Sequence, residues 1–119
     1  MTTQEIAEQL VILCRQGQFE PAQKQLYGEN AVSIEPYDTP EFPRETKGLE
    51  AINKKIRNFT NMIQETHSLE VSEPIVATNS FACIMHMDVT MKEKGRMNMK
   101  ELCVYEIKDG KVIAERFYM

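Results

Sequence analysis

Leu102-Cys-Val-Tyr-Glu-Ile-Lys-Asp-Gly-Lys-Val-Ile-Ala-Glu-Arg-Phe-Tyr-Met119 reads as two apolar-rich strands folded about an Asp109-Gly110 turn. An Asp-Gly pair between alternating hydrophobic runs is a strong short-range hairpin signal. Two turn geometries fit it. A Lys108-Asp109-Gly110 loop with Gly110 left-handed and a bulge puts Ile113, Glu115, Phe117 and Met119 on the same face as Cys103 and Tyr105. A two-residue turn reverses the parity and turns Arg116 inward. The bulged turn is the expectation, because Ile113 and Phe117 favour a core.

Working upstream, strands are predicted over residues 97–107, 80–91 and 67–72, with the last strand at 112–119. Along 81–91 every odd position (Phe81, Cys83, Met85, Met87, Val89, Met91) is apolar or sulfur-bearing, while His86, Asp88 and Thr90 fall among the even ones. Side chains alternate across a strand, so the odd set faces the interior and His86 with Asp88 the outside. The Lys92-Glu-Lys-Gly-Arg96 turn is expected to set Asp88 near Lys100 as an ion pair and Met87 near Glu101. Glu101 then shares the inner face with Met99, Cys103 and Tyr105.

Further upstream the period changes to that of helices. Ile6, Leu10, Leu13 and Cys14 share one face over Thr3–Arg15, with Thr3 as N-cap and Gly17 as stop. Phe19, Ala22 and Leu26 form a second helix, with Pro21 in its first turn and Gly28 ending it. A short strand follows over 30–36, stopped by Pro36, and the aperiodic stretch 37–48 reads as a loop able to act as a lid. A third helix spans 48–64 with a stripe of Leu49, Ile52, Ile56, Phe59 and Ile63. This order, helices first and then a meander with no βαβ alternation, predicts an α+β fold with helices on one face of a curved antiparallel sheet.

At 119 residues the chain is expected to be one domain, residues 1–119. A net charge of −4 with scattered basic residues, the densest being Lys54, Lys55 and Arg57 on one helix, lacks the stripe that nucleic acid requires. No window approaches the roughly 18 apolar residues of a membrane span, and the first residues lack the pattern of a signal peptide, so no membrane role and a cytoplasmic location are expected. Cys14, Cys83 and Cys103 are odd in number and sit among apolar neighbours without C-x-x-C spacing, reading as buried hydrophobes. No metal-ligand spacing, serine-nucleophile motif or phosphate loop is present, and no cofactor is expected.

Tyr27-Gly-Glu-Asn-Ala-Val, Gly48-Leu-Glu-Ala-Ile and Lys108-Asp-Gly-Lys-Val-Ile-Ala-Glu-Arg-Phe-Tyr, in this order, resemble the nuclear transport factor 2-like superfamily, nearest its SnoaL-like cyclases and ketosteroid isomerases. The resemblance covers nearly the whole chain. It implies a cone-shaped, cystatin-like fold of three helices and a strongly bent, mixed sheet around one pocket, in a homodimer joined by the outer sheet face. It implies no single activity.

In the resembling isomerases the general base is an acid just before a proline at the end of the first strand, which Glu35-Pro36 matches here. A carboxylate in an apolar cavity is suited to taking a proton next to a carbonyl; the alternative for Glu35 is a solvated rim residue. The isomerases also build an oxyanion hole from a tyrosine and a protonated aspartate, and the corresponding positions hold Leu10 and Cys103, so steroid isomerisation is not expected. Tyr105, paired with Glu115 or Glu35, substitutes in part. The wall of Met85, Met87, Met91, Met99 and Met119 is either an adaptable ligand surface or core filler. Glu101 lies nearer the mouth, either as a polar group of the pocket or simply solvated, whereas Glu115 between Ile113 and Phe117 has to be paired, hydrated or protonated. His67 reads as exposed or hydrogen-bonded, and His86 as an outer-face residue.

The leading expectation is a pocket for a small apolar or aromatic molecule, lined by Met85, Met87, Met99, Glu101, Cys103, Phe117 and Met119. Its acid/base chemistry would be led by Glu35 with Tyr105 and Glu115. The other is a non-catalytic ligand-binding or protein-interaction domain.

Overall fold

The helices form where the apolar spacing places them, and their ends are set by identifiable groups. In a computed structural model that describes Met1–Met119, α1 (Thr3–Arg15) buries Ile6, Ala7, Leu10, Val11 and Cys14. Its cap is Thr2 rather than Thr3: the Thr2 hydroxyl accepts from the Glu5 N–H, and the Glu5 carboxylate accepts from the Thr2 N–H, a capping box. The chain reverses at Gly17, with φ at 73°, into α2 (Phe19–Leu26). Gly28 does not end that helix, because β1 (Tyr27–Ile34) begins directly after Leu26.

The segment expected as pure loop contains a short strand, β2 (Glu45–Lys47), antiparallel to β1. Then α3 (Leu49–Asn61) starts at Gly48 and stops short of Ile63, which opens β3 (Ile63–Val71). A two-residue β4 (Ile75–Val76) precedes β5 (Ser80–Met91), β6 (Gly95–Lys108) and β7 (Lys111–Tyr118). The strand order is β2-β1-β7-β6-β5-β3 with β4 on β5, and β1–β7 is the one parallel pairing. Three helices and an open, mixed seven-stranded sheet make an α+β fold, and the odd positions of β5 from Phe81 to Met91 are buried in its core.

Two expectations of register change. The β5–β6 turn is tighter than expected, with Met91 opposite Gly95, so Met87 faces Met99 and Glu101 faces Met85. The slip is two residues, which leaves each face intact. Asp88 accordingly pairs with Arg96, at 2.9 Å, and not with Lys100.

The β6–β7 turn is of the two-residue kind: Lys108 faces Lys111, and Asp109 and Gly110 both have positive φ, 52° and 73°. The parity change this brings is cancelled one step later. Ile107 faces Val112 but Glu106 faces Ala114, so Ile113 is an extra residue in β7. Ile113 therefore points out, Val112 takes its expected place in the core, and Glu115 returns inward opposite Tyr105.

Candidate active site

The inner faces of β5, β6, β7 and the end of β1, closed by α2 and α3, enclose a cavity of about 410 Å³, within the usual range for small-molecule sites. Glu35, Glu101, Tyr105 and Glu115 all line it, as do Met85, Met87, Met99, Phe117 and Met119. Cys103 does not. It is fully buried beneath that surface, facing Cys83 on β5 and Phe117 on β7, and Phe117 supplies the cavity wall instead. The hydrogen bond with Cys83 and burial push the Cys103 thiol far up, and all three cysteines are buried and free.

Glu115 sits at the closed end, 3% exposed. It accepts hydrogen bonds from the Tyr27 hydroxyl and, at 2.6 Å, from the Ser33 hydroxyl. Burial raises its pKa, and the two donors and Lys55 oppose that rise. Tyr27 stays protonated, its pKa driven well up by burial and then by the Glu115 charge. The Lys55 ammonium donates to Ser33 Oγ at 2.6 Å and to Glu35 Oε2 at 2.8 Å. A continuous hydrogen-bonded chain thus runs from buried Tyr27 through Glu115, Ser33 and Lys55 to Glu35 at the end of β1. Glu35 is an ion-paired wall residue, not a free rim carboxylate.

Glu101 differs from both. It is half-buried and its carboxylate makes no ion pair, so burial, followed by the charges of Glu35 and Glu115, lifts its pKa to about 7. Of the two readings of Glu101, the structure has the cavity-wall one. Tyr105 stacks on Phe81, with centroids 4.7 Å apart, and burial keeps its hydroxyl protonated as a donor at the wall.

Glu101 carries a pH signature. The unfolded chain gives up this proton near the ordinary value of 4.5, the folded one near 7, so the folded state binds protons more tightly between the two and loses stability as pH rises through that window. The shift corresponds to about 3 kcal/mol at most. Urea unfolding at about pH 5 and pH 8 should show this fall, and Glu101→Gln should flatten it; an equal fall in the variant would assign it to another group.

Tyr27, Ser33 and Lys55 were not among the expected site residues. Lys55 had a signal: it lies three residues after Ile52 and four before Phe59, inside the apolar stripe of α3. Ser33 and Glu35 extend the inward period of Ala31. Tyr27 was masked by the misplaced helix end. His67 bonds Thr90, and His86 bonds Asn98 on the outer face. No three His, Cys, Asp or Glu side chains are grouped as a metal ion would require, and no helix is long and apolar enough to cross a membrane.

The sequence model of one family, described as SnoaL-like domain, matches residues 1–119. Among solved structures, a Mesorhizobium loti protein provisionally described as a SnoaL-like polyketide cyclase, with carbohydrate phosphatase in brackets, is similar at 32% identity, covering 100% of both chains with a TM-score of 0.90. A Burkholderia pseudomallei protein of unknown function, described as ntf2-like, shares 13% identity over 100% of this chain and 92% of its own, TM-score 0.79. A Mycobacterium tuberculosis protein in complex with estradiol-17β-hemisuccinate shares 16% over 100% and 95%, TM-score 0.75. The last two likenesses are of fold alone. No curated protein matches the sequence.

Proposed function

Because the chain belongs to the SnoaL-like domain family, whose model spans all of it, we propose that its cavity binds a small apolar or aromatic carbonyl compound and moves a proton on it without a cofactor. The observation that carries this reading is the meeting of differently held carboxylates in one apolar cavity: Glu35 paired with Lys55, and Glu101 keeping its proton up to about pH 7. Unequal environments for neighbouring acids are how one site holds a base and an acid at once. Glu35 takes the proton next to the carbonyl, and Glu101 returns one. Glu115, whose oxygens are occupied by Tyr27 and Ser33, holds that end of the chain in place.

Methionines and phenylalanines supply much of the remaining wall, a surface that fits flat, weakly polar bodies and adapts by rotamer. The M. tuberculosis relative's complex with a steroid ester is consistent with such a ligand.

The test is hydrogen–deuterium exchange next to the carbonyl across a panel of aromatic ketones and lactones, followed by NMR. Exchange above the buffer rate is expected, falling as pH rises through about 7 because Glu101 must carry a proton to act as the acid. A protein that binds members of the panel and exchanges none of them is a binding domain and not an enzyme.

Two copies are expected to meet through the outer sheet face, where Leu102, Tyr118 and the outward Ile113 are each more than a third exposed. A monomer at micromolar concentration by sedimentation would remove that expectation.

A further inference from the structure

We propose that Lys55 stabilises the oxygen of the reacting carbonyl, its ammonium receiving the negative charge that develops there as Glu35 withdraws the neighbouring proton. The inference rests on the proton-transfer reading of the cavity and names the electrophilic partner which that reading lacks.

The geometry carries it. Lys55 lines the cavity with its side chain 11% exposed, and Nζ lies 2.8 Å from Glu35 Oε2. A carbonyl oxygen and the carbon bearing the labile proton are two bonds apart, so a substrate that presents that carbon to Glu35 brings its oxygen alongside Nζ. An ammonium has three protons. Ser33 and Glu35 take two of them, which leaves one for a ligand. Those two contacts also fix the side chain in advance, so little reorganisation accompanies the charge shift.

The alternatives are poorer. Leu10 and Cys103 donate nothing useful, and Cys103 does not reach the cavity. Tyr105 stands opposite Glu115, which itself stands opposite Ser33, one inward position deeper than Glu35.

In the step, the carbon–hydrogen bond breaks and its proton goes to the Glu35 carboxylate. The electron pair forms the carbon–carbon double bond, and the carbonyl π pair moves to the oxygen, held by Lys55 without proton transfer. Reprotonation of carbon by Glu35 or Glu101 restores neutrality, with no net oxidation or reduction.

The test uses 2-naphthol, whose neutral and ionised forms absorb differently, with the Glu35→Gln protein, which presents the uncharged base of the intermediate. The bound dye should be the naphtholate near neutral pH, and the Glu35→Gln/Lys55→Met protein should bind it neutral. In the otherwise native chain, Lys55→Met should slow exchange on the ketone panel by about 10²- to 10³-fold, as loss of an oxyanion donor does, with KM little changed. Lys55→Arg keeps the charge and should retain the naphtholate, which covers the case of a methionine variant that does not fold. A neutral dye in Glu35→Gln, or naphtholate persisting without Lys55, overturns the assignment. Failure of the unsubstituted protein to exchange or bind any panel member overturns the underlying reading of the cavity instead.

Discussion

Exchange next to the carbonyl is expected to fall by about 10²- to 10⁴-fold in Glu35→Gln, the usual contribution of a positioned general base. Glutamine keeps the size of the side chain and a carbonyl oxygen that still accepts from Lys55 Nζ, now 2.8 Å from the carboxylate. The Lys55–Ser33–Glu115 contacts and the fold should survive, so the loss should appear in kcat with KM little moved. Because the ammonium pairs with the carboxylate, the cost of burying either charge alone beside the apolar wall is avoided. A fall of less than about threefold would place the base elsewhere, Glu101 being the other carboxyl at the wall with a proton to exchange near neutrality.

Phe81→Ala should be the most damaging single truncation at the sheet, costing about 3–5 kcal/mol by urea unfolding. Phe81 is 2% exposed, faces Tyr105 directly across β5 and β6, and stacks on its ring at 4.7 Å with 22° between planes. Removing it opens a void and also frees the Tyr105 ring, whose aromatic contact adds about 0.5–1.5 kcal/mol beyond area. Ligand affinity should weaken with stability, since Tyr105 is a wall of the cavity. A cost below about 1.5 kcal/mol would mean that the neighbouring side chains collapse into the space and that this end of the core is soft.

The fold was legible because each half of the chain keeps one period over a long stretch. Odd positions of β5 and the Ile6, Leu10, Cys14 face of α1 read directly as core, and they are. Faces survive errors of two residues, which is why the wrong β5–β6 register still turned Glu101, Cys103 and Tyr105 inward. Depth was not legible: alternation says which face a side chain takes, not whether it reaches the cavity, and Cys103 is inward and fully buried yet does not line it, whereas its cross-strand partner Phe117 does. Nor were partners. Glu115 was visible as an inward acid and Glu35 as a candidate by its place before Pro36, whereas the lysine that joins Glu35 to Ser33 lies on another element, 20 residues from Glu35 and 22 from Ser33. Contacts across such separations depend on how α3 seats against β1, and no local pattern encodes that. Lys55 and Ser33 carried a periodic signal for the face they take, but their pairing with each other, with Glu35 and with Glu115 came only from that packing.

The extra residue at Ile113 makes the terminal strand unequal in its tolerance of length. A chain without it would run Lys108 to Lys111, Ile107 to Val112 and Glu106 to Ala114 as an unbroken ladder, and would still place Glu115 opposite Tyr105. One residue lost or gained beyond Ala114 has no such slack, and exchanges Glu115 and Phe117 for their outward neighbours. The last hairpin therefore has one spare position, just ahead of the stretch that carries the buried carboxylate. Among chains of this kind, insertions and deletions that preserve the cavity should collect there, between the turn and Glu115.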